Sequence, residues 1–253
     1  MALQVTVPAE PNIDEKTGEV KTIILLHGLF GSITNWESTS RFFSDKYKVA
    51  AVDFNLGDPA APYHSIDSLT DMTVETMDRN GVQRAAVFGN SLGGHVALNL
   101  AYRFPERVTA LVLTGSAGLV ERSFGFMPPR PGREYLLMRI REVFCDQSFA
   151  TEELAEEVYQ ILTSVRNKLR IIRIARSSRK LNMTELLPHL NVPTLLVWGK
   201  EDTITSPETA KVFAEKIPGA ELIFLDECGH APNIEKPEEL NAAAEAFLNE
   251  IGY

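Results

Sequence analysis

The sequence predicts an α/β fold: a mostly parallel central sheet flanked by helices. Three observations lead there. Six apolar runs of strand length are spread along the chain. Most are continuous rather than alternating, as strands buried on both faces of a parallel sheet read. Helical patterns fall between them, and strand–helix alternation signals helical crossovers over a parallel sheet. The 253 residues suit one large domain with a small insertion.

The strand-like runs are residues 22–26, 48–52, 85–88, 109–113, 194–198 and 221–225. A weaker alternating piece, residues 3–7, reads as an edge strand. Between the runs, residues 65–80 carry Ile66, Leu69, Met72 and Met77 near helical spacing, with Asn80-Gly81 as a stop. Residues 92–103 are rich in Ala, Leu and Val and end before Pro105. Residues 207–216 open with Ser206 as N-cap and Pro207 at the first helical position. Residues 237–251 place Leu240, Ala244, Phe247 and Leu248 on one face. The alternation breaks between 118 and 190. Residues 127–132, rich in proline, read as loop. Helical patterns at 134–144, 151–164 and 167–178 follow without a strand. This divides the chain into a core, residues 1–117 and 191–253, and a helical cap insertion, residues 118–190, expected to shape the substrate pocket and exclude water.

Composition narrows the function classes. A net charge of −9 argues against nucleic acid and against anionic membrane surfaces, both of which need an excess of Lys and Arg. Two cysteines, Cys145 and Cys228, are too few for a disulfide framework and match no metal-ligand spacing. Free thiols suit a reducing compartment, and residues 1–10 lack the features of a signal peptide. No stretch approaches ~20 apolar residues. The expected location is cytoplasmic. No G-x-G-x-x-G or H-E-x-x-H pattern occurs, so neither a cofactor nor a metal is expected. The expected partner is a small-molecule substrate; oligomeric state is not readable.

The chemistry centres on Gly89-Asn90-Ser91-Leu92-Gly93, a G-x-S-x-G nucleophile elbow. The bare pattern arises by chance in about one chain in ten of this size. Its context identifies it, since a strand precedes Ser91 and a helix follows. A serine there sits on a sharp, strained turn, its hydroxyl at the positive end of the helix.

With that motif the chain resembles an α/β-hydrolase along nearly its whole length. His27-Gly28-Leu29-Phe30-Gly31-Ser32 follows the first core strand, like the family's oxyanion loop. Trp198-Gly199-Lys200-Glu201-Asp202 follows the strand at 194–197, where the family keeps its acid. Gly229-His230-Ala231-Pro232 follows the last strand, where it keeps its histidine. The resemblance implies an α/β-hydrolase fold and a Ser91, Asp202, His230 triad in the family's order. Ser91 is the nucleophile, His230 the general base, and Asp202 the acid that orients the imidazole. The oxyanion donors are the backbone N–H of Leu92 and, by resemblance, of Leu29 in preference to Phe30. One such donor contributes ~3 kcal/mol to barrier lowering.

Other candidates read as structural. His27 braces a loop, His95 packs under one, and His64 and His189 are surface residues. Asp226, four before His230, competes with Asp202 but lies outside the family's acid position. Asp53 stabilises a loop, and Cys228 is a buried inert thiol. The basic stretch Arg166, Lys168, Arg170, Arg173, Arg176, Arg179 and Lys180 is unusual in an acidic chain. It reads first as a solvated face pairing with Glu152, Glu153, Glu156 and Glu157. The sharper alternative sends one arginine, Arg166, into the pocket to bind a carboxylate.

Ser91 at the elbow argues against haloalkane dehalogenases and epoxide hydrolases of this fold, which use Asp there. The favoured reading is a carboxylic-ester hydrolase for small or medium acyl groups, with Phe30, Asn90 and Arg166 as substrate-binding residues. The alternative is a carbon–carbon bond hydrolase of ring-fission dienoates, whose elbow often carries Asn before Ser, as Asn90 does. Those enzymes usually carry Trp after the histidine, where this chain has Ala231, and a loop richer in Gly and Pro than Leu29-Phe30-Gly31. Perhydrolase activity could use the same triad. A slow-turnover small-molecule sensor is the reading from another class, and turnover number separates it from an enzyme.

Overall fold

The computed structural model describes residues 3–9, 11–14, 18–119, 128 and 131–253. Seven strands form one sheet: β1 (Leu3–Thr6), β2 (Thr22–Leu26), β3 (Lys48–Val52), β4 (Ala85–Asn90), β5 (Val108–Thr114), β6 (Thr194–Gly199) and β7 (Glu221–Leu225). Their order is β1-β3-β2-β4-β5-β6-β7. Only β1 runs antiparallel, pairing with β3. The other five pairings are parallel. The strands at the centre are buried along their length; β7, at the edge, has no fully buried residue.

Alternate residues of β2 to β6 feed two cores, one per face. Leu26, Val52, Val87, Leu111 and Leu196 face one side. There they pack against helices α2 (Ile66–Arg79), α3 (Leu92–Arg103) and α7 (Pro207–Lys216), whose Leu69, Val96 and Phe213 join that core. Leu25, Val49, Phe88, Val112 and Val197 face the other side. They meet α1 (Glu37–Phe43) and α9 (Pro237–Glu250) through Phe43, Leu240 and Phe247. Burying each such side chain contributes roughly 1.5–3 kcal/mol. A short α8 (Pro232–Glu235) precedes α9.

The helix starts follow local chemistry. Ser65 closes a capping box with Ser68 at the start of α2. Ser206 precedes α7, but its side chain makes no cap bond, so Pro207 sets that start through its fixed φ.

Three helices lie between β5 and β6: α4 (Arg133–Arg141), α5 (Glu152–Thr163) and α6 (Val165–Lys180). The sequence reading placed the last helix at 167–178; Ser164 caps it through Asn167 N–H (3.3 Å) and so begins it earlier. The three share a small core that includes Leu136, Phe144, Val158 and Ile171 and reaches Ala231. Of the expected loop at 127–132, residues 127, 129 and 130 lie outside the described residues. Among the described residues, no helix is long and apolar enough to cross a membrane.

Candidate active site

The site forms at the C-terminal ends of β2, β4, β6 and β7. The turn from β4 into α3 carries Ser91 at φ 53°, ψ −114°. A non-glycine residue there stores of order 1–3 kcal/mol of strain. The elbow glycines explain how the turn fits: a Cβ on Gly93 would stand 2.2 Å from the Leu26 carbonyl oxygen, and one on Gly89 2.6 Å from that of Gly93. Ser91 N–H donates to Thr114 O (3.0 Å), and Ser91 O accepts from Ala117 N–H (3.0 Å), pinning the turn to the end of β5.

Asp202 follows β6 and is buried. Its Oδ1 accepts from the N–H groups of Ile204 (2.8 Å) and Thr205 (2.9 Å), and Oδ2 accepts from Thr205 Oγ1 (2.9 Å). The same Oδ2 stands 2.9 Å from His230 Nδ1. With Asp202 accepting, Nδ1 carries the proton and Nε2 is left with a lone pair, the tautomer a base needs. Ser91 and His230 both line one cavity. Asp226, the competing acid, is exposed and bound to Lys200 at 2.5 Å.

The His230 loop is held from several sides. Asn90 Nδ2 donates to His230 O (3.0 Å) and to Thr114 O (3.2 Å). The amide nitrogen of Asn90 is thereby committed to bracing the loop, while the residue still lines the cavity. Gly115 (φ +49°) allows close approach, since a Cβ there would lie 2.6 Å from His230 O. Two contacts tie the loop to the segment after α4. His230 N–H donates to Val143 O (2.7 Å). The Glu235 carboxylate accepts from Gly229 N–H (2.8 Å), Cys145 N–H (2.7 Å) and Asp146 N–H (3.1 Å). Burial pushes the Glu235 carboxyl above its usual range, opposed by those three donors. The sequence reading missed Thr205 and Glu235. Glu235 lies five residues beyond His230, a signal that spacing alone does not interpret.

The loop after β2 is braced by His27, as expected. Phe54 N–H donates to its Nε2 (3.0 Å), so Nδ1 holds the proton and donates to Gly28 O (2.7 Å). Leu29 and Phe30 both line the cavity, and Leu92 opens α3 directly after Ser91. His95 is fully buried, with Nδ1 3.0 Å from Ser178 Oγ on α6, and burial lowers its pKa to about 4. Cys228 is buried, which raises its thiol pKa. Asp53 accepts from Asn55 N–H (2.7 Å) within its loop.

The cavity measures about 160 Å³ and is mostly apolar; α4 and α5 supply Leu136, Ile140, Leu154 and Val158. The expectation for Arg166 is corrected: it is exposed on α6 and is not among the lining residues. Helix phase is the reason, because α6 turns Asn167, Arg170, Ile171 and Ile174 inward instead. Arg170 does not reach the cavity either; its guanidinium donates to the carbonyls of Asn55, Asp58 and Ala61. Among the described residues, the arginine at the cavity is Arg139, 2.7 Å from Glu142. Of the acids expected to pair with α6, Glu156 binds Arg133 of α4 instead.

Residues 23–243 match the alpha/beta hydrolase family. The 2-hydroxy-6-oxo-6-phenylhexa-2,4-dienoate hydrolase of Comamonas testosteroni is 28% identical over 257 residues, covering 93% of this chain and 90% of that protein. A meta-cleavage product hydrolase from Pseudomonas fluorescens IP01 superposes with TM-score 0.80 at 26% identity, over 98% of this chain and 93% of that one. Est816, described as an N-acyl homoserine lactone degrading enzyme, gives TM-score 0.76 at 26% identity, over 97% and 96%.

Proposed function

From the premise that this chain belongs to the alpha/beta hydrolase family and is a hydrolase, we propose that it cleaves carboxylic esters of small or medium acyl groups through an acyl-enzyme on Ser91. One observation carries the choice: the cavity beside Ser91 and His230 is mostly apolar, and Arg139, its arginine, is paired with Glu142. An apolar acyl chain fits such a lining, whereas an anionic substrate would have to compete for Arg139.

In this reading His230 Nε2 takes the Ser91 proton as Oγ attacks the acyl carbonyl carbon. The tetrahedral oxyanion accepts from the backbone N–H of Leu92 and Leu29. Asp202 and Thr205 hold the imidazolium in place. Collapse breaks the bond to the alkoxy oxygen, which leaves as the alcohol with the proton from His230. Water, deprotonated by His230, then attacks the acyl-enzyme and releases the acid and Ser91. Helices α4, α5 and α6 act as a cap: α4 and α5 shape the acyl site, and α6 backs them. Phe30 contributes apolar wall, and Asn90 acts by positioning the His230 loop.

A second reading, carbon–carbon bond hydrolysis of dienoates, is favoured by Asn90 before Ser91 and by an arginine at the cavity, Arg139 in place of Arg166. The activities named for two of the relatives above are of that kind, while a lactone is a cyclic ester. The test pairs wild type and Ser91→Ala with p-nitrophenyl acetate, butyrate and octanoate, and with a dienoate ring-fission product. Fast ester turnover lost with Ser91 supports the ester reading. Rapid dienoate cleavage with weak ester turnover overturns it.

A further inference from the structure

Helix α6 presents an outward face that neither the cavity nor the core uses. Val165, Leu169 and Ile172, spaced by four and three residues, form one apolar ridge along it, and Arg176 lies at its C-terminal end. Val165 is 69% exposed and Leu169 49%. Arg166, Arg173 and Lys180 flank the ridge on one side and Arg179 on the other, all exposed. Arg166, Arg173, Arg176, Arg179 and Lys180 form no ion pair among the described residues. The helix contains no acidic residue, in a chain whose net charge is −9. Cations in its first turn also oppose the helix dipole, so Arg166 does not serve helix stability.

We propose that this face docks the enzyme on anionic phospholipid bilayers. An apolar ridge flanked by Lys and Arg is the arrangement that lies in a lipid interface, with the apolar side chains entering the headgroup region and the cations meeting phosphates. Net charge is a whole-molecule average. At physiological salt a surface is felt only within ~8 Å, so the charge of α6 decides the contact. Two other occupants fit less well. A two-fold dimer through α6 would set its cations against their copies, because such an interface is self-complementary. A nucleic acid would match the cations but leave Val165 and Leu169 against phosphates. None of these α6 side chains lines the cavity, so docking is separable from catalysis.

The test is co-sedimentation of the full chain with vesicles of pure phosphatidylcholine or of phosphatidylcholine with 30 mole percent phosphatidylglycerol. Each cation near an anionic surface raises partitioning about fivefold. Wild type is expected to prefer the anionic vesicles by more than about tenfold at low salt, a preference lost in 0.5 M salt. The double variant R173E/R176E, checked for folding by circular dichroism, loses that preference, and L169Q weakens binding several-fold through the apolar contact alone. Equal sedimentation with both vesicle types, or no effect of R173E/R176E, overturns the proposal. So does a dimer in sedimentation equilibrium that R173E/R176E dissociates, or tighter binding of a single-stranded oligonucleotide than of anionic vesicles.

Discussion

Acidification destabilises this protein through His95, and the size of the effect follows from its burial. The side chain is fully buried on α3, four residues after Ser91. One nitrogen meets Ser178 of α6, and the ring packs near Leu98 and Met183 around Gly118. Burial lowers its pKa from 6.5 to about 4. Between those values the unfolded chain binds the proton and the folded chain does not. Its contribution is therefore complete above pH 6.5, declines as pH falls, and is gone below about 4. At 1.36 kcal/mol per pKa unit the whole effect is about 3 kcal/mol, and the portion between pH 7 and 5 is about 2 kcal/mol. Carboxylates also titrate over that range, so the measurement is a difference. Urea unfolding at pH 7 and pH 5 is compared between wild type and H95L/S178A, which lacks the titrating ring and leaves no serine unpaired. Wild type is expected to lose about 2 kcal/mol more than the variant. Equal losses would refute the assignment of a buried, neutral His95.

Three further outcomes follow from the site. Asp202→Asn lowers kcat by about 10⁴, while Asp226→Asn stays within about twofold because that side chain is exposed and pairs with Lys200 at the surface; steady-state kinetics on one ester ranks them, and the reverse ranking moves the acid. Gly93→Ala, with its Cβ 2.2 Å from Leu26 O, destabilises by about 3 kcal/mol or more, and a shift below about 0.5 kcal/mol in urea unfolding would show that the elbow relaxes. Glu235→Gln swaps an acceptor for a donor facing backbone N–H groups, so stability falls by about 1.5–3 kcal/mol and kcat falls more than KM rises; an unchanged kcat would separate Glu235 from the placement of His230.

Local rules of the chain encode much of the architecture. Continuous apolar runs located six strands, because burial on both faces leaves no polar alternation. Gly89-Asn90-Ser91-Leu92-Gly93 announced the elbow, because only glycine fits where Gly93 meets the Leu26 backbone. Chain order placed Ser91, Asp202 and His230 at strand ends, which a parallel sheet brings to one edge.

The phase and packing of helices emerge only in the folded chain. Arg166 and Arg170 are one turn apart in sequence and equal in charge, yet one is solvated and the other is buried against the carbonyls of Asn55, Asp58 and Ala61. The arginine at the cavity came from α4, since the docking of α4 and α5 over Ser91 sets which side chains point down. Glu235 and Thr205 acquired their roles only when loops distant in sequence met. Hydrogen bonds across such distances leave no periodicity in the chain, because their partners are chosen by the packing of whole elements.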